Sequence, residues 1–131
     1  MLIGVDLDNT IVCYDEVFHT AAVERGLIPL DVPVGKQHVR DHLRANGKED
    51  AWTELQGHVY GEWIDRAPPF PHVLDFFKAC RAADMSVCIV SHRTRQPHRG
   101  PQVDLHRAAR GWLMNHGFED PAQITMGPER T

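Results

Sequence analysis

Apolar residues in this chain fall into two kinds of pattern. Leu2-Ile3-Gly4-Val5 is a short unbroken apolar run that stops at Asp6, and Met85, Val87, Cys88, Ile89 and Val90 run in the same way into Ser91. Continuous rather than alternating apolar residues mark buried strands, as in a parallel sheet covered on both faces. Between these runs, Val73, Leu74, Phe77, Cys80 and Ala83 recur at three- and four-residue intervals behind Pro71, which predicts an amphipathic helix opened by the proline. Leu105, Ala108, Ala109, Trp112, Leu113 and His116 repeat that spacing, and Gly117 follows as a stop. Gln123-Ile124-Thr125-Met126 predicts a short third strand. Strand, helix, strand, helix, strand with short connectors is the α/β pattern of a parallel sheet with right-handed crossovers.

A different kind of segment interrupts that alternation. Residues 15–25, 36–46 and 50–65 all read as helical, separated by turn signals at Gly26-Leu27-Ile28-Pro29, Pro33-Val34-Gly35 and Asn46-Gly47. Val17, Phe18, Ala21 and Ala22 mark the first, while Trp52, Leu55, Val59, Tyr60, Trp63 and Ile64 give the third a broad apolar face. The expected organisation is a core of residues 1–14 and 67–131, with residues 15–66 inserted as a helical unit over one end of the sheet. Trp52, Trp63 and Trp112 sit at helical spacing and read as packing residues.

Length and composition fit this picture. A chain of 131 residues and 14.9 kDa makes one domain carrying an insertion, and 42% apolar with 24% charged residues excludes a disordered tail or a fibrous repeat. No apolar run approaches the roughly 18 residues of a membrane span, and the N-terminal residues do not read as a secretion signal. Three cysteines, Cys13, Cys80 and Cys88, have no CxxC spacing, so the expected setting is reducing and cytoplasmic. A net charge of −4 does not indicate a nucleic-acid binder. The charge is uneven, however: residues 1–66 hold six basic against twelve acidic groups, whereas residues 91–110 hold five arginines against Asp104 alone.

Candidate chemistry starts where the first apolar run ends, at Asp6-Leu7-Asp8-Asn9-Thr10. The carboxyl ends of strands in an open parallel sheet line its ligand crevice, so these carboxylates stand where chemistry occurs. A close carboxylate pair can hold a divalent cation through oxygen. Asp6 can then attack an electrophile while Asp8 exchanges a proton with the leaving group. The alternative is a structural turn in which the aspartates cap the next helix. His38 and His42 have the i, i+4 spacing of a zinc pair, but Arg40, Asp41 and Arg44 around them read as a solvated helix.

A strand running into DLDNT near the start of the chain resembles the first motif of the haloacid dehalogenase-like (HAD) superfamily. Val87-Cys88-Ile89-Val90-Ser91 is similar to its second motif, a strand ending in Ser or Thr, and residues 15–66 resemble the cap many members insert after the first. The resemblance implies a Rossmannoid parallel sheet with a small helical cap. It further implies a Mg²⁺-dependent phosphohydrolase acting on a small phosphorylated metabolite or nucleotide. In that family pattern Asp6 is the nucleophile that becomes an aspartyl-phosphate and ligates Mg²⁺. Asp8 is the general acid/base, ligating the metal through its backbone carbonyl, and Ser91 binds the transferring phosphoryl group. His92, Arg93 and Arg95 leave the same crevice and would supply positive charge to the substrate.

The chain departs from the family pattern in two motifs. Lys36, Lys48 and Lys78 all precede Ser91, and no strand with an acidic pair follows residue 126, so neither the third-motif lysine nor the fourth-motif acids are matched. The core is therefore expected to be incomplete, with the edge of residues 2–5 left open. Either the natural protein continues past Thr131, or a second chain covers that edge as a homo-oligomer. Weak Mg²⁺ binding and slow turnover are expected, and the competing class is a non-catalytic binding or regulatory module of the same fold.

Overall fold

A computed structural model of the protein describes residues 2–91, 97, 99, 104–118 and 124–126. In chain order the elements are β1 (Leu2–Asp6), α1 (Asp15–Glu24), α2 (Lys36–Ala45), α3 (Glu49–Tyr60), a 3-10 turn (Ile64–Arg66), α4 (Val73–Ala82), β2 (Ser86–Ser91), α5 (Leu105–Asn115) and β3 (Ile124–Met126). The fold is mixed α/β, and its strands form a small parallel sheet in the order β1-β2-β3. Leu2 lies opposite Ser86 and Asp6 opposite Val90, while Ile89 lies opposite Ile124 and Ser91 opposite Met126.

Strand order explains where the burial pattern departs from expectation. Among the described residues β1 pairs with β2 alone, so one side of its backbone ladder is open. Of the apolar strand residues whose burial is described, only Ile89 is buried; Ile3, Val5, Val87, Cys88 and Val90 are half-buried and Gly4 is exposed. Continuous apolar sequence here reflects strands covered incompletely, and Cys88 is not the core residue its neighbours imply. Cys80, on α4, is buried.

The helices follow their apolar spacing closely. Val17, Phe18, Ala21 and Ala22 of α1, Val39 and Leu43 of α2, and Trp52, Leu55 and Val59 of α3 are all buried. The apolar face predicted over 50–65 does not form one helix. Gly61 takes φ −98°, ψ −92°, which breaks the ladder, and the 3-10 turn brings Ile64 back into the core. Helix α4 likewise begins at Val73 and not at Pro71, because His72 adopts a left-handed φ of 68° that no helix can pass through. At the far end of α5, Gly117 (φ 85°) turns the chain so that the Phe118 amide donates to Leu113 O at 2.9 Å, closing the helix as expected.

Insertion and core share one hydrophobic cluster. Val17, Phe18, Trp52 and Leu55 from residues 15–66 pack in the same group as Ile89, Ala109, Trp112 and Leu113. Trp112 is fully buried and donates its indole N–H to Ala67 O at 2.8 Å, tying α5 to the point where the chain leaves the insertion. Gly57 of α3 lies so close to the segment after β2 that a Cβ there would meet Pro97 Cβ at 2.7 Å. Trp63 is half-buried beneath the Arg66 guanidinium, 3.7 Å from its ring centroid, a stacked pair more than a core residue. No helix among the described residues is long and apolar enough to cross a membrane.

Candidate active site

Asp6 is the last residue of β1, and the next amide, Leu7 N–H, donates to Val90 O at 3.2 Å. The ladder thus runs one residue past the strand before the chain turns away beside the end of β2. Leu7 is fully buried, and its carbonyl accepts from the amides of Ile11 and Val12 at 3.0 and 3.1 Å. Asn9 sits in the left-handed region at φ 56°, a conformation its short amide side chain tolerates. Its Oδ1 accepts from the Tyr14 amide at 3.2 Å and its own amide donates to Val12 O at 2.9 Å. Residues 68–70 strap the far side, through Cys13 N–H to Pro68 O and Phe70 N–H to Ile11 O, both 2.9 Å. The turn from Leu7 to Cys13 is held at both ends.

The two carboxylates on this turn have different surroundings. Asp6 is exposed, whereas Asp8 is half-buried and accepts from the Tyr14 hydroxyl at 2.8 Å. Neither acts as the helix cap of the structural alternative, since α1 starts after Tyr14 with no side-chain cap bond. Asp15, the first residue of α1, instead accepts from the Lys36 amide at 3.0 Å. Ser91 ends β2 one residue past the partner of Asp6, so the two stand at the same end of adjacent strands, diagonally placed about 6 Å apart in backbone. His92, Arg93 and Arg95 lie outside the described residues. Arg107 is exposed on α5 and Arg110 half-buried, while Arg99 points toward α3, 3.8 Å from Asp50.

Three residues to which the sequence assigned no role in the site, Tyr14, Tyr60 and Lys36, form a chain of contacts leading away from Asp8. Tyr14 is fully buried, and its ring meets that of Tyr60, the last residue of α3, edge-on at 5.0 Å between centroids. The Lys36 ammonium, from the first residue of α2, donates to the Tyr60 hydroxyl at 2.7 Å. It lies 5.4 Å from the Tyr60 ring centroid and 5.7 Å from that of Phe18. Apolar periodicity assigns Phe18 and Tyr60 to packing. The one local signal was a polar aromatic, Tyr14, placed directly after the acidic turn, where its buried hydroxyl would need a partner.

Two carboxylates with oxygen donors suit Mg²⁺, which binds through one or two carboxylates and keeps several waters or phosphate oxygens. Among the described residues no cluster of three or more His, Cys, Asp or Glu joins them. Comparison with protein-family models, with curated proteins and with solved structures finds no match for this chain.

Proposed function

We propose that this chain is a Mg²⁺-dependent phosphohydrolase of the HAD type, with a Rossmannoid core and a helical cap, acting on a small phosphorylated metabolite or nucleotide. The observation that supports it most is the placement of exposed Asp6 at the carboxyl end of β1, next to the end of β2, with Asp8 fixed in the turn that follows. In this reading a carboxylate oxygen of Asp6 attacks phosphorus and displaces the leaving oxygen, giving an aspartyl-phosphate. Asp8 gives that oxygen a proton, then takes one from the water that hydrolyses the acyl phosphate and regenerates Asp6. When bound, Mg²⁺ would be held by Asp6 and Asp8 and would offset charge on the transferring phosphoryl oxygens. Tyr14 keeps the Asp8 carboxylate in one orientation through both proton transfers.

A second reading, binding of a phosphorylated ligand without turnover, is favoured by the absence of a third acidic ligand among the described residues. Hydrolysis of p-nitrophenyl phosphate by the full chain separates the two. Slow turnover is expected in Mg²⁺, lost on chelation and lost in Asp6→Asn. Turnover that survives Asp6→Asn refutes the assigned nucleophile, and a wild-type chain that binds phosphate but never turns over is the non-catalytic module.

A further inference from the structure

A phosphate monoester approaching Asp6 and Asp8 brings about two negative charges toward two more, so a positive group has to meet it. The insertion holds a lysine that is linked to the acidic turn through Tyr60 and Tyr14. Gly35, at φ 154°, ψ 139°, turns the chain into α2 in a conformation that L side chains rarely adopt, and a Cβ there would sit 2.9 Å from the His38 ring. That turn delivers the Lys36 amide to Asp15, next to Tyr14, and the Lys36 ammonium to the Tyr60 hydroxyl. Tyr60 packs on Tyr14, and Tyr14 donates to Asp8. Two tyrosine rings in series connect the acidic turn to the lysine, with Phe18 packed against both at 6.1 and 5.8 Å. Lysine side chains ordinarily lose substantial rotamer freedom when they bind an anion; one already held by a hydroxyl, with its ammonium 5.7 Å from the Phe18 ring centroid, has lost part of it beforehand. Lys48 and Lys78 are exposed on other corners of the molecule.

We propose that Lys36 is a substrate-binding residue of this site: its ammonium contacts the phosphoryl oxygens of a phosphate monoester lying at Asp6 and Asp8, and Tyr60 positions it. The choice of ligand rests on the phosphohydrolase reading. The cap then does more than cover the crevice. It contributes the cation that selects a phosphorylated substrate over its neutral counterpart, and that selection depends on how α2 and α3 are seated.

Inorganic phosphate is the probe, titrated calorimetrically into the full chain at low ionic strength, with circular dichroism melts of each variant alongside. Lys36→Met keeps an unbranched side chain of similar length and removes the charge; it is expected to weaken phosphate binding about tenfold or more. Lys36→Arg retains the charge and should bind within a few-fold of wild type, and Tyr60→Phe should fall between. With p-nitrophenyl phosphate, Lys36→Met should raise KM more than it lowers kcat. Phosphate binding unchanged in Lys36→Met, or no phosphate binding by the wild type, overturns the assignment. Should Lys36→Met fail to fold, wild-type affinity in Tyr60→Phe together with loss in Lys36→Arg overturns it equally. Lys36-dependent binding without Asp6-dependent turnover leaves Lys36 assigned and refutes the phosphohydrolase, whereas Asp6-dependent turnover indifferent to Lys36→Met does the reverse.

Discussion

Replacing Trp112 by Phe isolates one bond that joins α5 to Ala67, where the chain leaves the insertion. The indole is fully buried, stacks on His116 at 4.2 Å between centroids, and donates to a carbonyl of Ala67 that is 1% exposed. Phe retains a stacking ring and deletes the donor. Ala67 O then loses its partner where water does not reach, a cost of about 1–3 kcal/mol. The smaller ring leaves a void worth about 1 kcal/mol more, partly relieved by relaxation. The total, about 2–4 kcal/mol, is a large share of the 5–15 kcal/mol typical of a domain. Urea unfolding followed by circular dichroism should show the midpoint falling by about 1–2 M at unchanged slope, and the melting temperature by about 10 °C. A loss below about 1 kcal/mol would mean that the carbonyl finds another donor or that the indole is not enclosed.

Asp84 closes α4 at φ 57°, with the Met85 amide donating to Cys80 O at 2.8 Å; Asp84→Gly removes the left-handed penalty and should stabilise by about 0.5–1 kcal/mol in the same urea assay. Burial, and then the nearby Arg25 guanidinium, hold the His58 imidazole below its ordinary 6.5, outweighing Glu62. The unfolded chain therefore takes this proton first: His58 costs no stability at neutral pH and costs progressively more as pH falls through about 6.5, so His58→Gln should flatten the acid side of a stability–pH curve. Tyr14→Phe keeps the ring contacts with Phe18 and Tyr60 but leaves Asp8 without its 2.8 Å donor; a stability loss of about 1–2 kcal/mol is expected, together with a fall in kcat larger than any change in KM on p-nitrophenyl phosphate. Equal kcat in the two proteins would show that the hydroxyl positions nothing in the reaction.

Much of the backbone was legible in the residues themselves. Apolar runs ending in Asp6 and Ser91 located two strands in register, because a strand that stops on a polar residue stops at a sheet end. Spacing of three and four placed the ends of the five α-helices among the described residues to within one or two residues, apart from the tail of α3. That tail failed for a reason periodicity cannot register: Trp63 and Ile64 keep an apolar repeat, while Gly61 just before them leaves helical backbone. His72 misled in the same way, since Pro71 is a favourable first helical residue only if its successor stays right-handed. The site was half legible. Asp6 and Asp8 stood out because acids at the end of an apolar run conflict with burial, whereas Tyr14, Tyr60 and Lys36 come together from the residue before α1, the end of α3 and the start of α2 through contacts that no spacing rule encodes.

The two carboxylates depend on different parts of the molecule. Asp6 is placed by the sheet, through the register of β1 on β2, and would keep its position if the insertion shifted. Asp8 is placed by Tyr14, whose ring is fixed by Phe18 and Tyr60, so its orientation follows the packing of α1 against α3. Because the insertion and the core share one cluster, with Trp112 bonded to Ala67 and Gly57 against Pro97, that packing is continuous with the sheet. The proposed acid/base thus rests, through Tyr14 and Tyr60, against the same ring that hydrogen-bonds Lys36. On the proposed reading, a displacement of α3 that moves Tyr60 would disturb both the Lys36 hydrogen bond and the packing of Tyr14 beside Asp8, so phosphoryl binding and orientation of the acid would be coupled through that one ring.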